Sequence, residues 1–132
     1  MSRIVSVALL CLAATLSLTA QTDTVISGKL LSSGNLQTSA EQLIQLNGDT
    51  QTTAVLHDQR LAGSTLELHG HYEHGVFQVN PRHTKTMFVK KDGKLLAITY
   101  WCDVCSIRSY APGLCVCCQQ ETHLDLRDPT LE

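Results

Sequence analysis

Met87-Phe88-Val89-Lys90-Lys91-Asp92-Gly93-Lys94-Leu95-Leu96-Ala97-Ile98-Thr99-Tyr100-Trp101-Cys102 is the stretch that decides the fold. Met87 to Lys90 and Leu95 to Tyr100 are β-rich runs, and Lys91-Asp92-Gly93 between them carries an Asp-Gly turn dipeptide. Turns of this kind need positive φ at their central residues, which Asp tolerates and Gly adopts freely. The stretch therefore predicts a β-hairpin. Its second strand runs straight into Cys102, with no linker, so whatever the cysteines build is fixed to a sheet rather than tethered to it.

The same grammar extends toward the N-terminus. Thr24 to Leu31 is β-rich and ends in the loop signal Ser32-Ser33-Gly34-Asn35. Gln42 to Leu46 alternates before Asn47-Gly48-Asp49, which carries a hairpin-type Asn-Gly dipeptide, and Thr52 to Leu56 reads as a further strand. His57 to Gly63 reads as one polar turn closed by glycine. Thr65 to Tyr72 alternates strictly: Leu66 and Leu68 share one face, while Thr65, Glu67, His69 and His71 share the other. Gly75 separates it from Val76-Phe77-Gln78-Val79. About six or seven short strands with no long amphipathic helix give a mainly β fold, a small OB-like barrel or sandwich followed by a short zinc-ribbon-like knuckle. Segment 36–46 is the exception, because Leu36, Ala40, Leu43 and Leu46 can line one helical face. The organisation expected is a signal peptide over 1–20, a β domain over 21–100, a cysteine knuckle over 101–120 and a tail over 121–132.

The knuckle carries the chemistry. Cys102-Asp103-Val104-Cys105 and Cys115-Val116-Cys117-Cys118 lie within 17 residues. Two C-x-x-C pairs can close tetrahedrally on one ion, with each short turn presenting two sulfurs from one side. Pro112-Gly113 between them can reverse the chain and bring the pairs together. Disulfides are the competing reading in an exported chain. Against them, an odd count after Cys11 is set aside leaves one thiol over, and bridges within so short a segment close only small loops. The spacing favours Cys102, Cys105, Cys115 and Cys118 as ligands with Cys117 spare; Cys115 with Cys117 is the alternative pairing. Zinc is the expected metal and iron the alternative. Ser106 and Gln119 stand where a c-type haem motif needs histidine, and no βαβ setting suggests a thioredoxin-like dithiol.

Tyr100-Trp101-Cys102-x-x-Cys105 followed by Pro112-Gly113-Leu114-Cys115-x-x-Cys118 resembles the rubredoxin-like knuckle of rubredoxins and of the ends of rubrerythrins. With the β-rich region before it, the segment also resembles a group of exported bacterial proteins of uncharacterised role. The resemblance implies Cys102, Cys105, Cys115 and Cys118 as ligands, holding iron for one-electron transfer or zinc structurally. Three features differ. Ser106 and Gln119 replace the glycine that commonly follows each pair, the intervening gap is short, and Cys117 is additional. These differences favour zinc. No four-helix di-iron portion precedes the knuckle, so rubrerythrin activity is not implied.

Arg3 followed by the apolar run Ile4 to Leu18, with Leu18-Thr19-Ala20 before Gln21, reads as a secretory signal peptide. The run is shorter than the roughly 20 residues a membrane-spanning helix needs. Cys11 within it is apolar filler. A periplasmic or secreted protein with no membrane attachment after cleavage is expected. Without Arg3 the chain has 9 basic and 12 acidic residues, a net charge of −3, which argues against a general nucleic-acid binder.

Four weaker constellations complete the reading. His69, His71 and His74 can offer three imidazoles to a metal, but a polar outer strand face ending in a turn is the favoured reading. His57 beside Asp58 lacks any nucleophile motif, and Asp58 reads as a turn or helix cap. His123 is an alternative fourth ligand. Arg82, His83, Lys85, Lys90, Lys91 and Lys94 make a basic hairpin, read as a solvated face. The expected function is a non-catalytic binding or structural module that meets an envelope protein or ligand while zinc keeps the knuckle rigid. The alternative is a redox or metal-handling protein using iron or copper at the cysteines.

Overall fold

The computed structural model describes residues 22–132. In chain order they form β1 (Thr24–Leu30), β2 (Leu36–Gln37), β3 (Leu43–Ile44), β4 (Leu46–Asn47), α1 (Thr50–Leu56), β5 (Thr65–Glu73), β6 (Val76–Val79), α2 (His83–Thr86), β7 (Met87–Lys91), β8 (Lys94–Cys102), β9 (Ile107–Ser109) and β10 (His123–Arg127). Short 3-10 turns occupy Gln59–Leu61 and Pro129–Leu131. The fold is mainly β. The expected leader over 1–20 lies outside the described residues. No helix among the described residues is long and apolar enough to cross a membrane.

The β7–β8 hairpin forms as its turn chemistry dictates. Asp92 has φ 52° and Gly93 φ 73°, and Lys91 pairs with Lys94. From it the sheet extends in the order β10-β8-β7-β5-β1-β2-β3, each neighbour antiparallel. No pairing among the described residues joins β10 to β3, so this sheet is open. β4 pairs with β6 in parallel, β6 continues onto β5, and β9 folds back on the end of β8.

β5 is the hub because it serves three partners. Its first half pairs with β7, its second half with β6, and its other edge with β1. Gly70 makes this possible: a Cβ there would stand 2.0 Å from the Gln78 carbonyl oxygen of β6. The alternation read in the sequence sets the core face. Leu66 and Leu68 are fully buried, opposite Val89 and Met87 of β7. Leu30, Leu36, Val55, Leu61, Phe77, Ile98 and Tyr100 complete the core. Full burial of each such side chain stabilises by about 1.5–3 kcal/mol before entropy is counted.

Several expectations are corrected. Segment 36–46 is not helical. Leu36 pairs with Ile44 across a tight turn in which Glu41 has φ 59°, and Leu43 faces solvent rather than an apolar stripe. Asn47-Gly48 does not make a hairpin, and Thr52 to Leu56 is not a strand. Asp49, extended at φ −67° and ψ 176°, accepts a 2.8 Å hydrogen bond from the Thr52 amide and starts α1. Thr52, Val55 and Leu56 are then buried at helical spacing. The basic hairpin loses His83, which is 1% exposed, with Nε2 3.1 Å from the Ile98 carbonyl oxygen. Residues 121–132, read as a tail, contain β10, which pairs along β8 and lays Leu124 and Leu126 on the core.

Candidate metal centre

Each cysteine pair sits on a turn whose backbone points at sulfur. Cys102 ends β8 and is buried. The chain reverses immediately: the Cys105 amide lies 3.4 Å from Cys102 Sγ, and the Ser106 amide donates to the Cys102 carbonyl at 2.9 Å. Ser106 takes φ 53°, and β9 then returns antiparallel along β8. The second turn repeats the first. Cys115 is buried, the Cys117 amide lies 3.4 Å from Cys115 Sγ, and the Gln119 amide donates to the Cys115 carbonyl at 3.0 Å. Gln119 takes φ 63°. Ser106 and Gln119 thus adopt the left-handed conformation that glycine would adopt with less strain. A bridge between Leu114 and Glu121 closes this loop into a small hairpin.

The two turns bring the four sulfurs of Cys102, Cys105, Cys115 and Cys118 within 4.8 Å of one another. Cys102 Sγ and Cys118 Sγ are 3.5 Å apart. A tetrahedral zinc tetrathiolate with Zn–S bonds near 2.3 Å has sulfurs about 3.8 Å apart. The cluster therefore has the donor set and the dimensions that can hold a metal ion. Cys117 is exposed and stands outside the group.

The protonation preferences of the cluster follow from its backbone. Amides of Cys118 and Cys117 pull Cys115 down to about 7, so a thiolate forms most readily there. The Cys117 sulfur first, then burial, favours the protonated form of Cys105 and pushes its pKa up. At Cys102 the Cys105 amide lowers the pKa, but burial and the thiols of Cys118 and Cys115 outweigh it, and the net shift is upward. Metal binding to thiols displaces their protons, since the thiolate is the ligand.

The other candidate ligands are held elsewhere. His69 Nε2 lies 3.1 Å from Glu67 Oε1, and His71 Nε2 lies 3.7 Å from Glu73 Oε2. His74 occupies the β5–β6 turn at φ 51°. Among the described residues the cysteine cluster is the one group of three or more ligating side chains. His123 pairs with Asp103 at 2.6 Å instead of joining the sulfurs. His57 Nδ1 lies 2.8 Å from the Thr53 carbonyl at the end of α1, so it does not engage Asp58.

Asp58 caps the 3-10 turn as expected, accepting from the Arg60 amide at 3.1 Å. It also reaches further. Tyr100 Oη donates to Asp58 Oδ2 at 2.8 Å, and Arg60 grips the carboxylate through Nε at 3.0 Å and Nη2 at 2.9 Å. Burial opposes ionisation of Asp58, yet the Arg60 and Tyr100 bonds hold its carboxyl below the ordinary value. Arg60 Nη1 donates to the Thr122 carbonyl at 2.9 Å, and its guanidinium lies 5.2 Å from the Tyr100 ring centre. On the other side of β8, Arg108 lies over Trp101 at 4.8 Å and binds Asp125 at 2.7 Å. Sequence reasoning missed Arg60 and Thr122, because their partners are distant along the chain.

No protein-family model, curated protein or solved structure matches this chain. Fold and site together define a mainly β protein with a four-cysteine cluster able to hold a metal ion.

Proposed function

We propose that this is an exported zinc protein in which zinc, bound by Cys102, Cys105, Cys115 and Cys118, locks a rubredoxin-like knuckle to the end of a small β scaffold. The observation that carries the reading is the approach of all four sulfurs within 4.8 Å. The paired N–H···S contacts of the two turns support the knuckle assignment. Zinc suits a closed tetrathiolate with no open position, which is the arrangement of structural sites. An OB-like scaffold belongs to the same proposal. Five strands of five residues or more carry the sheet, and an open strand order is compatible with a partly open five-stranded barrel.

The role that follows is a non-catalytic binding or structural module of the periplasm or exterior, whose partner is an envelope protein. Val104 is 72% exposed, Val116 85% and Leu114 57%, so both knuckles carry apolar side chains in solvent, which supports a role in contact. Export rests on the leader-like pattern before Gln21. The exposed Cys117 beside Cys105 favours a second reading, metal handling or redox work at the same cysteines. Metal analysis of protein purified from its own compartment separates the two. Zinc at one ion per chain and a colourless protein support the first; the visible absorption of a ferric tetrathiolate would replace it with the second.

A further inference from the structure

The two ligand-bearing turns are linked by the β8–β10 ladder, by the solvent-exposed His123–Asp103 pair at 2.6 Å, and by one side-chain node with buried acceptors. Cys102 lies two residues beyond Tyr100 on β8. Cys115 and Cys118 lie on the hairpin whose base is Thr122, where the Thr122 amide and Oγ1 both donate to the Gly113 carbonyl, at 3.2 Å and 2.9 Å. Between Tyr100 and Thr122 stands Arg60. Its fork holds Asp58, which also accepts from Tyr100, while its remaining nitrogen holds the Thr122 carbonyl.

We infer that Arg60 is a positioning residue for the metal centre, fixing the second cysteine pair against the first so that the four-sulfur cage exists before the ion arrives. This rests on the metal-binding reading above. Three geometric facts carry it. Arg60 binds both the first turn's strand, through Asp58 and Tyr100, and the second turn's base, and it does so through buried acceptors, whereas both partners of the His123–Asp103 pair are exposed. The planar guanidinium can make these bonds at once, whereas a lysine ammonium can hold one partner but not the fork. Arg60 itself is 43% exposed, but the groups it holds are not open to solvent: the Asp58 side chain is only 6% exposed and Thr122 is buried, so water competes poorly for these acceptors. A cage held in advance binds more tightly because less ordering remains to be done on binding.

The test uses the mature chain and zinc itself, competed against a chromophoric chelator, with cobalt(II) as a spectroscopic stand-in. Arg60→Met should weaken zinc binding about tenfold, the lower end of what loss of outer-shell support costs. Its cobalt(II) ligand-field bands should shift or broaden as the cage distorts. Arg60→Lys should fall between wild type and Arg60→Met. Tyr100→Phe keeps the ring under Arg60 but removes the bond to Asp58, and it should give a smaller loss of the same kind. It serves as the second variant if Arg60→Met does not fold. Affinity within twofold of wild type and unchanged cobalt bands in the folded variants would overturn the inference while leaving the metal site standing. A lower unfolding midpoint of the metal-free variant, with cobalt bands and affinity intact, would mean a merely structural role and would overturn it equally. A wild-type chain that takes up no zinc would overturn the metal reading itself, and the inference with it.

Discussion

Replacing Ser106 or Gln119 with glycine should stabilise the protein, although each change removes a side chain. Both residues sit at positive φ, 53° and 63°, directly after a C-x-x-C pair. Holding a non-glycine residue in the left-handed region costs about 1–2 kcal/mol. Glycine avoids that strain but gives back about 0.5–1 kcal/mol, because its unfolded chain is freer. Both side chains are exposed, so little packing is lost. The net gain should be about 0.5–1 kcal/mol per site, and the two should add if the turns act independently. For a domain of this size that is a rise of about 2–5 °C in melting temperature per substitution. Thermal melts of Ser106→Gly, Gln119→Gly and the double variant, with zinc and after chelation, measure it. Ser106→Ala is the control: alanine retains the strain and should show no comparable gain. Glycine variants that melt at or below wild type would refute the argument that these turns are strained.

Two further outcomes follow from the fold. His83 is buried, and desolvation lowers its pKa more than its bond to Ile98 raises it, so the unfolded chain binds a proton that the folded chain resists. Stability of the metal-free protein should therefore hold above about pH 6.5 and fall as pH drops through the folded pKa below it; a urea midpoint flat between pH 7.5 and 5, or the same slope in His83→Gln, would remove His83 as the cause. Asp49→Ala should cost about 1 kcal/mol by removing the cap of α1, seen as a lower denaturant midpoint at unchanged slope, and no loss would mean that the 2.8 Å bond to Thr52 contributes nothing net.

What could be read from the sequence was whatever is local. The Asp92-Gly93 turn, the alternation around Leu66 and Leu68, and the twin cysteine spacing each state their geometry within a few residues. α1 was misread because Thr52, Thr53 and Val55 are β-branched and weigh toward a strand. The contrary signals were the Asp49 cap and the helical spacing of Thr52, Val55 and Leu56. β2, β3 and β4 are two residues each, too short for any periodicity to register. β10 did carry alternating Leu124 and Leu126, but its meaning depends on β8, more than 20 residues earlier. The Arg60 node was illegible for the same reason, since it joins residues 58–60 to residues 100 and 122. His83 looked like part of a basic surface because its neighbours Arg82 and Lys85 are cations; only the packed structure shows it turned inward.

The central claim is that four particular cysteines hold one ion. Metal content and thiol count, measured together on the mature chain and its cysteine-to-serine variants, test it most directly. The account predicts one zinc per chain, lost on replacing Cys102, Cys105, Cys115 or Cys118 and kept on replacing Cys117. The β domain should survive each loss. After chelation and denaturation, the mature chain should show all 5 thiols, the 6 in the sequence less Cys11. Protein prepared without oxidant that contains no metal and shows a single thiol would mean that the cysteines form disulfides, and would contradict the account.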